Sequence, residues 1–142
     1  MSTTYPIPGA VLTEREHDVP LVHGDPQRDR IGVFTREVAA PDGRDRPYRV
    51  FLQGGSGFEA ARPTSPPSGW MERALADFRV LLLDQRGTGR STPVGSVIPG
   101  ATPADQAEYL THFRADSIVR DLELIRAELG VERWSLLGQS PR

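Results

Sequence analysis

The stretch that decides the fold is Trp134-Ser135-Leu136-Leu137-Gly138-Gln139-Ser140-Pro141-Arg142. Its apolar residues, 134–137, predict a buried strand, and a Gly-x-Ser follows that strand directly. A serine at the tip of a strand within Gly-x-Ser-x-Gly is typical of a nucleophile held on a sharp strand-to-helix turn. The fifth position of that motif holds Arg142 instead of glycine. The pattern therefore predicts a catalytic lineage but an incomplete motif.

Two earlier strands also lead into glycine-rich segments. The run Tyr48–Leu52 is followed by Gln53-Gly54-Gly55-Ser56-Gly57, and the run 80–84 by Gln85-Arg86-Gly87-Thr88-Gly89-Arg90-Ser91-Thr92. The apolar run 80–84 is typical of a parallel strand buried on both faces. The chain contains no lysine for a Walker loop, and 85–92 lacks the third glycine of a dinucleotide fingerprint, which argues against nucleotide binding. We expect the glycine pair at 54 and 55 to face the serine.

The remaining pattern adds a hairpin and a short helix. Loosely alternating residues in 10–22 and 31–39, separated by Gly24-Asp25-Pro26, predict an antiparallel hairpin at a sheet edge. Apolar residues between 70 and 78 recur at helical spacing. With a second helix after residue 102, the order is hairpin, strand, helix, strand, helix, strand. This order indicates an α/β fold whose mostly parallel sheet is incomplete.

The second helix is predicted from its two ends. Thr102 is suited to the N-cap, Pro103 to the first helical position, and Asp105 stands at the spacing of a capping box. Gly130 marks the carboxyl end. One uninterrupted helix is expected between them, with an apolar stripe at Ile118, Leu122, Ile125 and Leu129.

Composition excludes several classes of function. The 142 residues carry a net charge of −2, and 37% are hydrophobic, which suits one soluble domain. All 17 basic residues are arginines scattered along the chain, so no basic patch for nucleic acid or for a membrane surface is present. Without cysteine, neither a disulfide nor a thiolate metal site can form. No secretory signal or membrane-spanning run is recognisable, and we expect a cytoplasmic protein without metal or cofactor.

Three motifs together resemble one family. They are Gln53-Gly54-Gly55-Ser56-Gly57-Phe58-Glu59-Ala60, Leu83-Asp84-Gln85-Arg86-Gly87-Thr88-Gly89-Arg90-Ser91 and Gly138-Gln139-Ser140. With them, the chain resembles the amino-terminal part of a proline iminopeptidase (prolyl aminopeptidase) of the α/β-hydrolase fold, over nearly everything from Val11 to Ser140. The resemblance implies a serine peptidase that releases an N-terminal proline from a peptide through an acyl-enzyme.

The resemblance also implies roles for individual residues. Ser140 stands at the nucleophile position, and the Gly54-Gly55 segment supplies one backbone N–H to the oxyanion hole, which we expect to be that of Gly55. Pro141 stands where the second donor is expected, and proline has no N–H. The second glycine-rich segment, 85–92, is expected to be supported by Asp84, Arg86, Gly87 and Gly89. Carboxylates beside the loops, Asp84 and Glu59, could orient backbone or bind a substrate amine.

The sequence departs from the family pattern in three ways. Ser56 replaces the proline that usually follows the glycine pair. Pro141 and Arg142 stand where the family continues with Phe or Trp and then Gly-Gly. The helical cap and the acid and histidine of a catalytic triad, which follow the serine in the family, are not in residues 1–142, and His17, His23 and His112 all precede it. We therefore expect one truncated α/β-hydrolase domain over 1–142 that is inactive alone, of the kind a frameshift or a premature stop would produce.

Two alternatives stay open at this point. The first is a fragment of another α/β-hydrolase, such as an esterase or a different aminopeptidase, because the residues that would select proline are not in the sequence. The second is a non-catalytic half-domain that pairs with a separate carboxyl-terminal chain.

Overall fold

A computed structural model of the chain describes residues 2–53, 59–94 and 98–138. They form six strands, three α-helices and one 3₁₀ turn at Thr111–Phe113. The strands are β1 (Ser2–Ile7), β2 (Ala10–Pro20), β3 (Arg30–Ala39), β4 (Tyr48–Leu52), β5 (Arg79–Asp84) and β6 (Ser135–Gly138). The helices are α1 (Gly69–Leu75), α2 (Pro103–Leu110) and α3 (Ala115–Glu128).

The six strands form one mixed sheet in the order β1-β2-β3-β5-β4-β6. The predicted hairpin is confirmed as β2 and β3, but it does not form the edge, because β1 pairs antiparallel along β2 from Ser2 opposite Arg15 to Ile7 opposite Ala10. β3 then runs antiparallel to β5. Among the described strands, β4 pairs parallel with β5 on one side and with β6 on the other. The described sheet is therefore less parallel than expected, because β2 of the hairpin pairs antiparallel with β1 and β3 pairs antiparallel with β5.

The sheet buries a different apolar cluster on each face. On one face, α3 packs Leu122 and Ile125 against Val33, Val50 and other strand residues. On the other face, α1 packs on a second cluster, whose buried members are Ala10, Leu12, Val38, Ala60, Ala74, Leu75, Val80 and Leu82. The continuous apolar run of β5 contributes to both faces, as the sequence pattern predicts for a buried strand. This packing fixes where the carboxyl ends of β4, β5 and β6 lie.

The predicted helix after Thr102 is divided in two. The N-cap is confirmed, since the Asp105 amide donates to Thr102 Oγ1 at 3.1 Å, and Gly130 follows α3 with a φ of 69°. Between α2 and α3, however, Arg114 has an extended backbone (φ −95°, ψ 171°). The carbonyl of His112 there accepts a hydrogen bond from Arg86 at 2.7 Å. The hydrogen bond from Arg86 to His112 thus lies at the break between α2 and α3, where local spacing predicts a continuous helix.

The last strand leaves apolar surface exposed. In the described part of the chain β6 pairs only with β4, and Leu136 is 58% exposed. None of the described helices is long and apolar enough to cross a membrane.

A buried histidine lies under the carboxyl end of α3. His17 Nε2 is 2.8 Å from Thr35 Oγ1, and its Nδ1 is 3.2 Å from a carboxylate oxygen of Glu128. Burial lowers the pKa of the His17 imidazole below its usual 6.5, although the Glu128 carboxylate acts in the opposite direction. The folded chain therefore keeps His17 neutral at pH values where the unfolded chain binds a proton.

We expect this histidine to make stability depend on pH. Stability rises with pH wherever the unfolded state binds more protons, so the free energy of unfolding should fall as pH drops below about 6.5. His17→Gln cannot titrate and should lose less stability between about pH 7 and pH 5.5 in urea unfolding. Equal losses in the two proteins would contradict this origin of the pH dependence.

Candidate active site

The carboxyl ends of β4 and β6 lie side by side. The two strands are parallel, with Leu52 opposite Gly138. The carboxyl ends of β4 and β6 therefore lie at the same edge of the sheet, and in the sequence they precede the Gly54-Gly55 segment and Ser140. β5 ends at Asp84 on the other side of β4, so three chain segments meet at this edge.

Four of the predicted site residues lie outside the described residues. They are Gly54, Gly55, Ser140 and Pro141. The glycines as oxyanion donors, Ser140 as nucleophile and Pro141 at a donor position without an N–H stay predictions, supported by the positions of the strand ends that precede them. The four predicted loop-support residues, Asp84, Arg86, Gly87 and Gly89, are all described.

The loop after β5 is tied to β3 by side chains. Ser91 Oγ accepts a hydrogen bond from the Phe34 amide at 2.9 Å and donates to the carbonyl of Asp84. Thr92 Oγ1 accepts from the Gly32 amide at 2.8 Å. Beyond the end of β5, these bonds continue the contact with β3, so the loop after β5 stays beside β3.

Gly87 fits only because it lacks a side chain. Its φ of 83° lies in the left-handed region, which glycine adopts without strain. A Cβ atom at this position would lie 2.9 Å from the ring of Phe113, in the 3₁₀ turn. The glycine therefore lets the loop after β5 and the segment between α2 and α3 approach each other.

The Arg86 side chain is fully buried in a set of hydrogen bonds. Its Nε and Nη2 donate to the two carboxylate oxygens of Asp121 at 2.7 and 2.6 Å. Nη1 donates to the carbonyls of Leu21 and His112, and Nη2 also donates to the carbonyl of Pro20. One guanidinium thus joins the end of β2, the loop after β5, the 3₁₀ turn and α3. A buried arginine needs such partners, because an unpaired charge is costly away from water.

Asp121 is the important residue that sequence reasoning missed. It is 1% exposed, and its Oδ1 is also 2.8 Å from Nε2 of His23. A signal was present, since Asp121 lies three residues after Ile118 and four before Ile125 and so occupies the apolar stripe of α3. A carboxylate on such a stripe is rarely buried without a charged partner, and Arg86 is that partner.

A second charged group lies on the opposite face of the sheet. Arg36 donates two hydrogen bonds to Glu14, and Arg90 donates a third at 3.2 Å. Burial opposes ionisation of Glu14, but these two guanidinium groups outweigh it and hold the pKa of the carboxyl below its usual range. Beside this group is a cavity of about 380 Å³, lined by Arg36, Glu59, Ala60, Arg62, Asp84, Gly89 and Arg90.

The two carboxylates named as possible ligands for a substrate amine differ in their contacts. Both oxygens of Asp84 accept backbone hydrogen bonds, from the amides of Ala60 and Arg90 at 3.0 Å each. Glu59 is exposed and lines the cavity. Asp84 therefore matches the backbone-orienting alternative.

Comparison with protein families gives one match. Residues 50–140 match the family model described as the alpha/beta hydrolase fold. The matched range contains the last three residues of β4, all of β5 and β6, and all the predicted site residues up to Ser140.

Comparison with individual proteins gives relatives that are named proline iminopeptidases. A proline iminopeptidase of Aeromonas sobria is 54% identical over 127 residues, which are 86% of this chain and 30% of that protein. A proline iminopeptidase of Aspergillus aculeatus is 34% identical over 94% of this chain and 32% of its own length. The chain thus spans about a third of the length of these relatives.

Solved structures agree with the fold. An alpha/beta hydrolase from Novosphingobium aromaticivorans superimposes with a TM-score of 0.54 at 21% identity, covering 89% of this chain and 34% of the other. At this identity the likeness shows the fold alone.

Proposed function

The chain belongs to the α/β-hydrolase family, and we propose that it is the amino-terminal, nucleophile-bearing part of a serine hydrolase of the proline iminopeptidase type. The observation that carries the proposal is the 54% identity to the Aeromonas sobria proline iminopeptidase over 86% of the chain. The adjacent ends of β4 and β6 support it, because the Gly54-Gly55 segment and Ser140 follow these two strand ends closely in the sequence.

In the proposed reaction Ser140 attacks the carbonyl carbon of an N-terminal proline residue. The serine proton passes to a general base, and the N–H of Gly55 stabilises the charge on the carbonyl oxygen. The base passes this proton to the peptide nitrogen as the C–N bond breaks, so the shortened peptide leaves with a free amine while the prolyl group stays on the serine oxygen. Water hydrolyses this ester and releases proline.

The base in this proposal is a histidine outside the 142 residues. Each histidine of the chain has a carboxylate partner elsewhere in the fold: Glu128 for His17, Asp121 for His23 and Glu108 for His112. His17 lies under α3, and His23 lies beside the buried arginine. Because this fold places its histidine after the serine in chain order, we assign none of the three as base.

A chimaera tests the proposal directly. Residues 1–140 would be continued with the part of the Aeromonas sobria protein that follows its matching serine. We expect this protein to hydrolyse a prolyl arylamide at least about tenfold faster than an alanyl arylamide or a p-nitrophenyl ester. The same chimaera with Ser140→Ala is the control and should retain folding, measured by circular dichroism, without turnover.

Two results would contradict the proposal. A well-folded chimaera that prefers the ester or a non-proline arylamide would assign the chain to another hydrolase of this fold. Unchanged turnover in the Ser140→Ala chimaera would remove Ser140 from the nucleophile position.

A further inference from the structure

A cavity of about 340 Å³ lies beside α1, on the face of the sheet away from α3, and is called the apolar cavity below. Its walls include Phe51, Trp70, Met71 and Leu82, together with the prolines of residues 63–67. The rings of Phe51 and Trp70 are stacked with their centroids 5.0 Å apart, yet Trp70 remains 46% exposed. Sites for small molecules are typically cavities of this size with aromatic and apolar walls and a small number of polar groups. The apolar cavity therefore has the size and lining of a site for a small apolar or aromatic group.

One arginine connects this cavity with its charged neighbour. Arg62 is the one charged residue among the described residues that line the apolar cavity. It also lines the cavity of about 380 Å³ beside Glu14, called the charged cavity below. The Arg62 side chain lies over the ring of Tyr5, with Cζ 5.5 Å from the ring centre, and forms no ion pair within the described part of the chain. A guanidinium group presents five donors in a planar fork that matches a carboxylate, so Arg62 offers an anion site at the edge of the apolar cavity.

The charges around Arg62 also favour an anion on the solvent side. Five charged residues line the charged cavity: Arg36, Arg62, Arg90, Asp84 and Glu59. Asp84 is 3% exposed, and both of its oxygens already accept backbone amides. Arg36 is likewise occupied, by Glu14. Toward solvent, the guanidinium groups of Arg62 and Arg90 therefore face one exposed carboxylate, that of Glu59.

We propose that the two adjoining cavities form a binding site for a small amphipathic carboxylate. Its apolar or aromatic group lies in the apolar cavity against Trp70, and its carboxylate accepts hydrogen bonds from Arg62. A ligand cation of the same shape is disfavoured, because its charge lies beside that guanidinium. The site is built from described residues on the α1 face of the sheet, and the inference does not rest on the proposed function.

The two tryptophans of the chain provide a test with an internal reference. Trp70 lines the apolar cavity, whereas Trp134 packs on the apolar cluster of the opposite face. The 142-residue chain is titrated with 3-phenylpropionate and followed by the indole N–H signals in NMR. We expect the Trp70 signal to shift to saturation with a Kd of about 10 mM or below, while the Trp134 signal stays in place. A Trp70 signal that does not move up to about 50 mM ligand, or two indole signals that move equally, would overturn the proposal.

The uncharged analogue 3-phenylpropanamide tests the role of the carboxylate. It has the same ring and chain length but forms no charge-assisted pair with Arg62, so we expect its Kd to be at least about tenfold higher. Equal affinity for the acid and the amide would contradict an anion site at Arg62.

Arg62→Gln tests the arginine itself. Because Arg62 is exposed, the variant should fold as the parent does, and its Kd for 3-phenylpropionate should rise at least about tenfold while that for the amide stays unchanged. The matched control is Arg28→Gln, which removes an exposed arginine paired with Glu108 of α2 and should bind the carboxylate as the parent does. Undiminished binding by Arg62→Gln, or an equal loss in Arg28→Gln, would remove Arg62 from the site.

Discussion

Arg86→Met is expected to lower the free energy of unfolding by about 3–5 kcal/mol. The substitution keeps much of the side-chain volume but removes every hydrogen bond of the guanidinium. Asp121 is then left as a buried carboxylate with His23 as its remaining partner. Removing one member of a buried ion pair is this costly because the other charge stays away from water without compensation. For a domain whose total stability is about 5–15 kcal/mol, a loss of this size approaches unfolding.

Urea unfolding followed by circular dichroism measures the effect. The matched control is Arg73→Met, since Arg73 forms an ion pair with Asp77 in which the side chains are 76% and 57% exposed. Exposed pairs contribute about 0–1 kcal/mol, so this variant should remain close to the parent. The double change Arg86→Met with Asp121→Leu should recover part of the loss, because both charges are removed together. A loss below about 1 kcal/mol for Arg86→Met alone would contradict the structural role given to this arginine.

Local patterns in the sequence were sufficient for most of the elements. The β2–β3 hairpin, the strands after residues 48 and 80, and the N-cap at Thr102 follow from alternation, apolar runs and capping chemistry, which act between residues close in sequence. β1 was missed, because Ser2–Ile7 is mostly polar and exposed and is recognisable as a strand only through its pairing with β2. An edge strand of this kind has little hydrophobic signal of its own.

The break between α2 and α3 was also missed, and the reason is different. Nothing in residues 110–114 resembles a helix terminus by composition. The carbonyl of His112 is instead used by Arg86, which lies 26 residues earlier in the chain. Long-range hydrogen bonding of this sort is invisible to any pattern that extends over a few turns of helix.

For the candidate site too, local motifs were predicted and long-range contacts were not. The motif around Ser140 and the glycine pair were recognised from local sequence, and their common edge is supported by the pairing of β4 with β6. The partners of the motif residues were not recognised, since Ala60 and Asp121 carry no motif and are defined only by what they contact. Sequence patterns therefore predicted the site residues, whereas the contacts of the neighbouring described residues could be found only from the tertiary structure.

The isolated 142-residue chain is expected to hydrolyse a prolyl arylamide at least about 10⁴-fold more slowly than the chimaera. Pro141 has no N–H for the oxyanion, and loss of one such donor costs about 10²–10³ in rate. A general base contributes about 10²–10⁴, and no histidine of the chain is assigned to that role. The lower limits of the two losses multiply to about 10⁴.

The double change Pro141→Phe with Arg142→Gly separates the two losses. It restores an N–H after Ser140 and a glycine at the fifth motif position but supplies no base. We expect it to remain at least about 10²-fold slower than the chimaera, since the serine hydroxyl is a poor nucleophile when no group accepts its proton. The measurement is arylamide release at high protein concentration, with Ser140→Ala as the background. Turnover of the unmodified chain above that background would place a functional base among its own residues. His23 would be the first to replace, because its imidazole contacts Arg86 in the loop after β5.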